Sequence, residues 1–457
     1  MPKKDDKVKI GLEIHGYLMT NEKLFCSCKA EHGAKITQPN TNICPICTGQ
    51  PGAKPLLPNK TAVDKTIQIA LILECKINEK LVWQRKHYDW PDLPKGYQDT
   101  ISGPYAVPVG EDGKFLGVKI REAHIEEDPA AWNPKTGEID YNRSGIPLIE
   151  IVTEPDLKNS EETINWLKQL ITTLGYIKAI DKNLGIKADV NVSVGKGERI
   201  EVKNINSLKN IRAAIEYEIQ RQKKEKPIHQ ETRAFDEFSG KTVRMRSKEE
   251  AQDYRFISEP DLPIIKIEQS RIKKLKSALP ETPQEKLRKL IKKYKIDKKP
   301  AEVLTKKLDI VEFFEEVVKR VNPRIAVPWV TIELLRVLNY AKKELENVEI
   351  KVEDFAELLN LVDKKAITEL KAKEILNQFI PISFSPKEHA KKHRKISGKS
   401  EIEKFVKQVI KQNPQAIKDY KAGKPNALNF LIGQVMRISE KRADFKTAKE
   451  VLEKMLR

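Results

Sequence analysis

Two cysteine pairs, Cys26-x-Cys28 and Cys44-Pro-x-Cys47, stand close together near the start of a chain of 457 residues. Thiolates at these spacings can close a tetrahedral four-sulfur zinc site, because each short turn holds two sulfurs on one side of the backbone. Such a site has no open coordination position, so its expected work is to staple the Asn-, Thr- and Pro-rich loop from Leu24 to Gly52. The N-terminus is charged and has no apolar leader, which points to the cytoplasm and makes a metal a better reading than disulfides. Cys75, just past the apolar run Ile67 to Leu73, reads as an ordinary buried thiol.

Carboxylates and imidazoles supply a second kind of chemistry. In Gly11-Leu-Glu-Ile-His15 the two-residue period of a strand puts Glu13 and His15 on one face. In Arg121-Glu-Ala-His-Ile-Glu-Glu-Asp128 it gathers Glu122, His124 and Glu126, and turns Glu127 the opposite way. Glu150 lies inside Pro147-Leu-Ile-Glu-Ile-Val-Thr153, a run so apolar that the strand must be buried. A buried carboxylate without a partner costs several kcal/mol, so Glu150 needs a cation. Hard oxygen ligands with one imidazole suit Mg²⁺ or Mn²⁺ better than zinc. The plainer alternative is a set of structural ion pairs with Arg121, Arg143 or nearby lysines.

Positive groups fall in two further places. The stretch from Lys86 to Gln98 interleaves Lys86, Tyr88 and Lys95 with aromatics and prolines, which indicates a rigid loop. Arg244, Arg246 and Arg255 cluster in sequence before Glu259-Pro-Asp-Leu-Pro263, and guanidiniums of this kind suit phosphate or one another. Neither phosphate-loop signature is present, so nucleotide use cannot be read from a motif. A net charge of +19 favours an anionic partner, nucleic acid first.

The elements that must position these residues follow from periodicity. Strands are expected at Lys9 to His15, Gly117 to Ile125, Ile146 to Val152, Ala188 to Val194 and Arg199 to Val202. Helices are expected from Asn159/Ser160 to Gly175 and from Ser207 through Ile219. Strands joined by short turns predict an α+β fold with an antiparallel sheet rather than a doubly wound one. After about residue 265 the pattern turns helical, with breaks near Ser277 to Pro300 and Pro381 to Lys399. This gives three expected domains: 1–280 with the cysteine loop at 24–52, an all-helical 281–397, and a small helical tail at 398–457. The apolar run at Ile67 to Leu73 is far short of the ~20 residues of a bilayer span.

The strand motifs, the cysteine loop, Tyr88-x-Trp-Pro-Asp-Leu-Pro-Lys-Gly-Tyr-Gln98, Glu201-Val-Lys-Asn-Ile-Asn-Ser207, Asp253-Tyr-Arg255 and the tail motifs Asn413-Pro-x-Ala-x-x-Asp-Tyr-Lys-x-Gly-Lys424 and Gly433-Gln-Val-Met436 are together similar to the B-subunit family of the aspartyl/glutamyl-tRNA amidotransferases. The resemblance covers nearly the whole chain. It implies a glutamine-synthetase-like catalytic fold and a carbon–nitrogen ligase that phosphorylates the side-chain carboxylate of misacylated Glu-tRNA(Gln) or Asp-tRNA(Asn) with ATP and then amidates it with ammonia. It implies that the ammonia comes from a separate amidase (glutaminase) subunit, with a third, small subunit to bridge the two. It also implies Mg²⁺ on Glu13, His15, Glu126 and Glu150, structural Zn²⁺ on the four cysteines, and an ammonia path lined by Glu127, Lys86, Tyr88 and Lys95. ATP contacts would fall to Arg244, Arg246 and Arg255, and tRNA contacts to Lys418, Tyr420, Lys421 and Lys424, in one polar turn between helices. A zinc-ribbon RNA-binding protein without chemistry would explain the charge and the cysteines but leave the buried acids without a purpose. A paralogous form with an inserted synthetase-like domain finds no room between residues 265 and 300.

Overall fold

A computed structural model describes residues 7–31, 37–181, 186–227, 229–247, 255–388, 395–396 and 398–456. The chain divides into two compact units, Met1–Glu281 and Thr282–Arg457.

Among the described residues the first unit is built on a sheet of twelve strands. In chain order the strands are β1 (Val8–Tyr17), β2 (Lys76–Ile77), β3 (Lys80–Leu81), β4 (Gln84–His87), β5 (Tyr97–Thr100), β6 (Gly110–Phe115), β7 (Val118–Glu127), β8 (Ala131–Trp132), β9 (Ile139–Asp140), β10 (Pro147–Thr153), β11 (Ile186–Val194), β12 (Ile200–Ile205), β13 (Glu231–Asp236), β14 (Lys241–Ser247), β15 (Arg255–Ser258) and β16 (Ile265–Lys266). The main path runs β14-β13-β12-β11-β1-β10-β7-β5-β4-β15, with β6 joined to β7 and β2 to β6, while β3/β16 and β8/β9 form separate ribbons. Every pairing in the large sheet is antiparallel except β12 with β13. The expected antiparallel α+β arrangement is therefore what forms.

The centre of the sheet is β11-β1-β10-β7, and the apolar residues of these strands explain why. Ile10, Leu12, Ile14, Ile149, Ile151, Ala123, Ile125, Val190 and Val192 are all almost fully buried. Each large side chain of this kind contributes roughly 1.5–3 kcal/mol when removed from water. They pack beneath helices α1 (Lys60–Ile72), α2 (Ser160–Tyr176), α3 (Leu208–Glu225) and α4 (Gln269–Ser277). Helix α2 starts where Asn159 Oδ1 accepts the Glu162 N–H, and Glu161 and Glu162 in its first turn complement the helix dipole. Helix α3 starts at Ser207, whose hydroxyl accepts the Asn210 N–H. Both helices press their apolar faces on the sheet, so the opposite face of the central strands is left to carry polar groups.

The second unit is helical. Pro283–Tyr294 begins with a reciprocal cap between Thr282 and Glu285. It is followed by Lys298–Leu304, Leu308–Val317, Pro323–Pro328, Leu335–Ala341, Val352–Asp363 and Glu369–Asn377. The last four helices, Lys399–Gln412, Pro414–Lys421, Pro425–Ile438 and Phe445–Leu456, enclose a core of their own that includes Ile402, Val406, Leu431, Val435 and Leu452. Thr368 Oγ1 donates to the Lys441 carbonyl at 2.5 Å, and Glu374 pairs with Lys441, so these helices are fastened to the segment before them. No helix among the described residues is long and apolar enough to cross a membrane.

Candidate active site

The register of the central strands sets the site. His15 on β1 lies opposite Glu150 on β10, and Glu150 lies opposite His124 on β7, so three strands contribute one lateral row. Glu126, two residues beyond His124, shares that face. His15 Nε2 is 3.4 Å from Glu150 Oε2 and 3.8 Å from Glu126 Oε1, and His124 Nε2 is 3.1 Å from Glu150 Oε2. One ligand atom from each of His15, Glu126 and Glu150 lies within 4.8 Å of the others.

Electrostatics in this row are those of a cation site. Burial disfavours a charged His15, but the hydrogen bond and charge of Glu150 outweigh it and raise the imidazole to about 9. Burial likewise opposes a charged His124, yet Glu150 and Glu122 raise it to about 10. Burial would lift Glu150 too, but the two imidazoles hold its carboxyl well below the usual range. Glu126 is raised by burial and then by the charge of Glu150. Two carboxylates with the His15 imidazole, its proton displaced, fit a hard divalent ion such as Mg²⁺ or Mn²⁺, while His124 backs Glu150 from behind.

Glu13 stands apart from this row. It faces Asp189 across the β1–β11 pairing and forms a second acidic group with Asp189 and Glu201. Asn191 donates to Glu13 Oε1 at 3.1 Å, and Lys203 bridges Asp189 at 2.8 Å and Glu201 at 3.0 Å. Burial and then the charge of Glu150 raise Glu13, so the two groups sense each other. Sequence reading put His124 on the Glu126 face without giving it a role, and it missed Asp189 and Glu201. Asp189 and Glu201 carried the same signal as Glu150, a carboxylate inside an apolar strand.

On the far side of β7 the parity expected from the sequence holds: Glu127 turns away from Glu126. Its Oε1 is 2.5 Å from Lys95 Nζ and accepts the backbone N–H of Asp99 at 2.9 Å. Lys95 also reaches Asp99 Oδ2 at 2.6 Å, and its ammonium lies 4.9 Å from the centre of the Tyr97 ring. Lys86, on β4, interacts instead with Glu126, and Tyr88 follows directly at the end of that strand, half-buried.

The three arginines read together from the sequence are placed differently. Arg244 is on β14 and Arg255 on β15, the two opposite ends of the strand path, so these residues share no strand neighbourhood. Sequence proximity misled because the intervening chain passes from one end of the path to the other. The side chain of Arg246, together with Asp253 and Tyr254, lies outside the described residues. Of the tail residues, Lys418, Tyr420 and Lys421 are in the last turns of the helix Pro414–Lys421, not in a turn between helices; only Lys424 precedes the next helix, where it pairs with Asp419. The three lysines are exposed, whereas Tyr420 packs against the core of the last four helices.

The four sulfurs of Cys26, Cys28, Cys44 and Cys47 also lie within 4.8 Å of one another. The hydrogen bond from Cys26 pulls Cys47 down to about 4, with Lys23 Nζ 3.4 Å from its sulfur. The hydrogen bond to Cys47 raises Cys26 and burial raises Cys28, so their protons leave only as a metal enters; a four-sulfur set of this shape fits zinc. Gly49, just past Cys47, has φ +64°, and a Cβ there would meet the Pro94 carbonyl at 2.4 Å and the Lys95 nitrogen at 2.9 Å. The cysteine loop therefore rests directly on the backbone that presents Lys95.

Comparison with known proteins decides the family. Residues 8–273 match the GatB/GatE catalytic domain model and residues 312–456 the GatB domain model. The chain belongs to the B-subunit family of amidotransferases. Relatives named as the B subunit of an aspartyl/glutamyl-tRNA(Asn/Gln) amidotransferase include those of Methanocaldococcus jannaschii, 44% identical over 99% of this chain and 98% of that protein, and Methanothermobacter thermautotrophicus, 43% identical over 98% and 100%. A third, from Methanopyrus kandleri, is 42% identical over 98% of both chains. The catalytic-domain match of this B-subunit family spans every residue of both acidic groups and of the Glu127 pair.

Proposed function

We propose that the chain performs the tRNA-facing half of a glutamine-dependent amidation, as a carbon–nitrogen ligase acting on misacylated Glu-tRNA(Gln), Asp-tRNA(Asn) or both. The observation that carries this reading is the cross-strand row His15–Glu150–His124 with Glu126, beside a separate Lys95–Glu127 pair on the other face of β7. One face then serves activation and the other serves amide formation.

In activation, an oxygen of the substrate's side-chain carboxylate bonds to the γ-phosphorus of ATP as ADP departs. His15, Glu126 and Glu150 would hold Mg²⁺, with Glu13, Asp189 and Glu201 adjoining. The ion, when bound, neutralises charge on the phosphoryl oxygens. In the second step the ammonia nitrogen bonds to the acyl carbon and the bond to phosphate breaks. Glu127 accepts the proton that the nitrogen sheds, and Lys95 orients that carboxylate. Glutamine supplies the ammonia through a separate amidase (glutaminase) subunit, which a small bridging protein holds in place. Lys86 and Tyr88 belong to the approach, and the four cysteines hold Zn²⁺ as a scaffold. Arg255, paired with His87 on the strand next to Lys86, is the arginine we assign to ATP. Lys418, Lys421 and Lys424, with Tyr420 beneath, offer tRNA phosphates an exposed basic face.

The deciding experiment supplies the purified chain, with and without the amidase and small bridging subunits, with both misacylated tRNAs, ATP and glutamine, and scores the amide products. Amidation only in the complete mixture supports the reading. Binding of tRNA with no ATP-dependent phosphate release would overturn it.

A further inference from the structure

Beside the Lys95–Glu127 pair lies a chain of charges, buried at Asp99 and open to solvent at Lys54, with uneven numbers. Lys95 Nζ is 2.5 Å from Glu127 Oε1, Arg85 Nε is 2.6 Å from Glu259 Oε2, and Lys54 Nζ is 2.8 Å from Asp261 Oδ1. Each cation thus has a carboxylate of its own, and Arg85 Nη2 also reaches Asp261 at 2.8 Å. Asp99 is a fourth carboxyl within the same set, with no exposure to solvent. It touches Lys95 through Oδ2, while Oδ1 is buried with no donor facing it. The Glu259 carboxyl adjoins Asp99, and burying the two together raises Asp99 further, as like charges do. The other charged or titratable neighbours of Asp99 are Arg85 and Tyr97, the latter stacked under the Arg85 guanidinium at 4.3 Å.

We propose that Asp99 is a positioning residue for the amide-forming step, held as a neutral acid that donates a hydrogen bond to Glu259 and accepts one from Lys95. With Asp99 neutral, three cations face three carboxylates and the array carries no net charge. An ionised Asp99 would leave an unbalanced negative charge beside Lys95 and Glu127, and a negative field there favours ammonium over ammonia. Burial and then the charge of neighbouring Glu127 hold the Asp99 carboxyl's pKa well above the ordinary carboxylate range, the direction required. The backbone N–H of the same residue fixes Glu127 Oε1, so one residue sets both the position of the base and the charge around it. This inference rests on the proposed ammonia role of Glu127 and Lys95.

The test uses the assembled enzyme with ammonium salt as nitrogen donor, and the chain labelled with ¹³C at the aspartate carboxyls. The Asp99 resonance, assigned by its disappearance in Asp99→Asn, is expected to keep the shift of a protonated acid through neutral pH. Asp99→Ala is expected to lower amidation ~10–100-fold, the cost of leaving buried partners unpaired, while ATP-dependent phosphate release continues. Asp99→Asn, which offers a donor and an acceptor in the same places, is expected to rescue most of that loss. It should also remove a fall in activity on the alkaline side of the wild-type pH profile, where Asp99 would ionise. An Asp99 that titrates like an ordinary carboxylate, or an Asp99→Asn as damaged as Asp99→Ala, would overturn the proposal. A neutral Asp99 whose variants, together with Glu127→Gln, all amidate normally would instead overturn the ammonia-path reading beneath it.

Discussion

His124 lies directly behind Glu150: its Nε2 is 3.1 Å from the same Oε2 that stands 3.4 Å from His15 Nε2. With Glu122 3.2 Å from its other nitrogen, the ring is clamped between two carboxylates at almost no exposure. Such a ring fixes the direction in which Glu150 presents its free lone pairs. His124→Leu is expected to weaken Mn²⁺ binding ~10–100-fold, the usual effect of removing a group that orients a metal ligand. Titration of Mn²⁺ by electron paramagnetic resonance reads this without any turnover, and unchanged affinity would show that Glu150 holds its pose unaided.

Glu150→Ala and Glu127→Gln should separate the two chemical steps. The first is expected to abolish ATP-dependent phosphate release on misacylated tRNA. The second should leave that release intact and lower amide formation ~10²–10⁴-fold, the range associated with a positioned general base. Phosphate release and amidated aminoacyl product are measured on the same samples.

Removing the four-sulfur site should act on the loop before the sheet. Cys47→Ser is expected to bring zinc, measured by mass spectrometry of the metal content, well below one ion per chain. It should raise proteolysis within 24–52 while far-ultraviolet circular dichroism stays close to wild type. Stoichiometric zinc in that variant would remove Cys47 from the ligand set.

Asp444 gives a pH prediction with a definite sign. It caps the final helix, accepting from the Thr447 N–H at 2.9 Å and from Lys395 at 2.5 Å. Burial opposes ionisation, but these donors outweigh it and lower Asp444 to about 2. Its folded value is below its unfolded one, near 3.9, so its stabilisation is full above about pH 4 and is lost as pH falls toward 2. Asp444→Ala should cost ~1 kcal/mol at neutral pH. Denaturant melts should show that difference shrinking on acidification.

For the tail, Lys418→Ala and Lys421→Ala are expected each to weaken tRNA binding and to reduce the slope of log affinity against log salt by ~1. The effect should be equal for different tRNA sequences, since phosphates carry no sequence. An unchanged slope would move the tRNA surface elsewhere.

Much of this arrangement was legible in the sequence wherever local period carries the information. Glu126 and Glu127 pointing to opposite faces follows from strand parity alone, and the caps at Asn159 and Ser207 follow from side-chain chemistry. Register across strands was not legible, because it depends on which strands become neighbours. That is why Glu13 was read with His15 although β11 brings Asp189 to it, and why Arg244 and Arg255 looked adjacent although β14 and β15 end the path on opposite sides. Asp99 escaped notice because its partner Glu259 is remote in the chain and its burial comes from tertiary packing.

Gly49 seated against Pro94 and Lys95 ties two chemistries together. Oxidation of the cysteines, or loss of a metal they hold, would disturb a loop whose Gly49 sits on the Lys95 backbone, and through it the ammonium paired with Glu127. A chain damaged in this way would go on consuming ATP on bound substrate while failing to finish the amide. The fault would show up as futile hydrolysis rather than as an inactive protein.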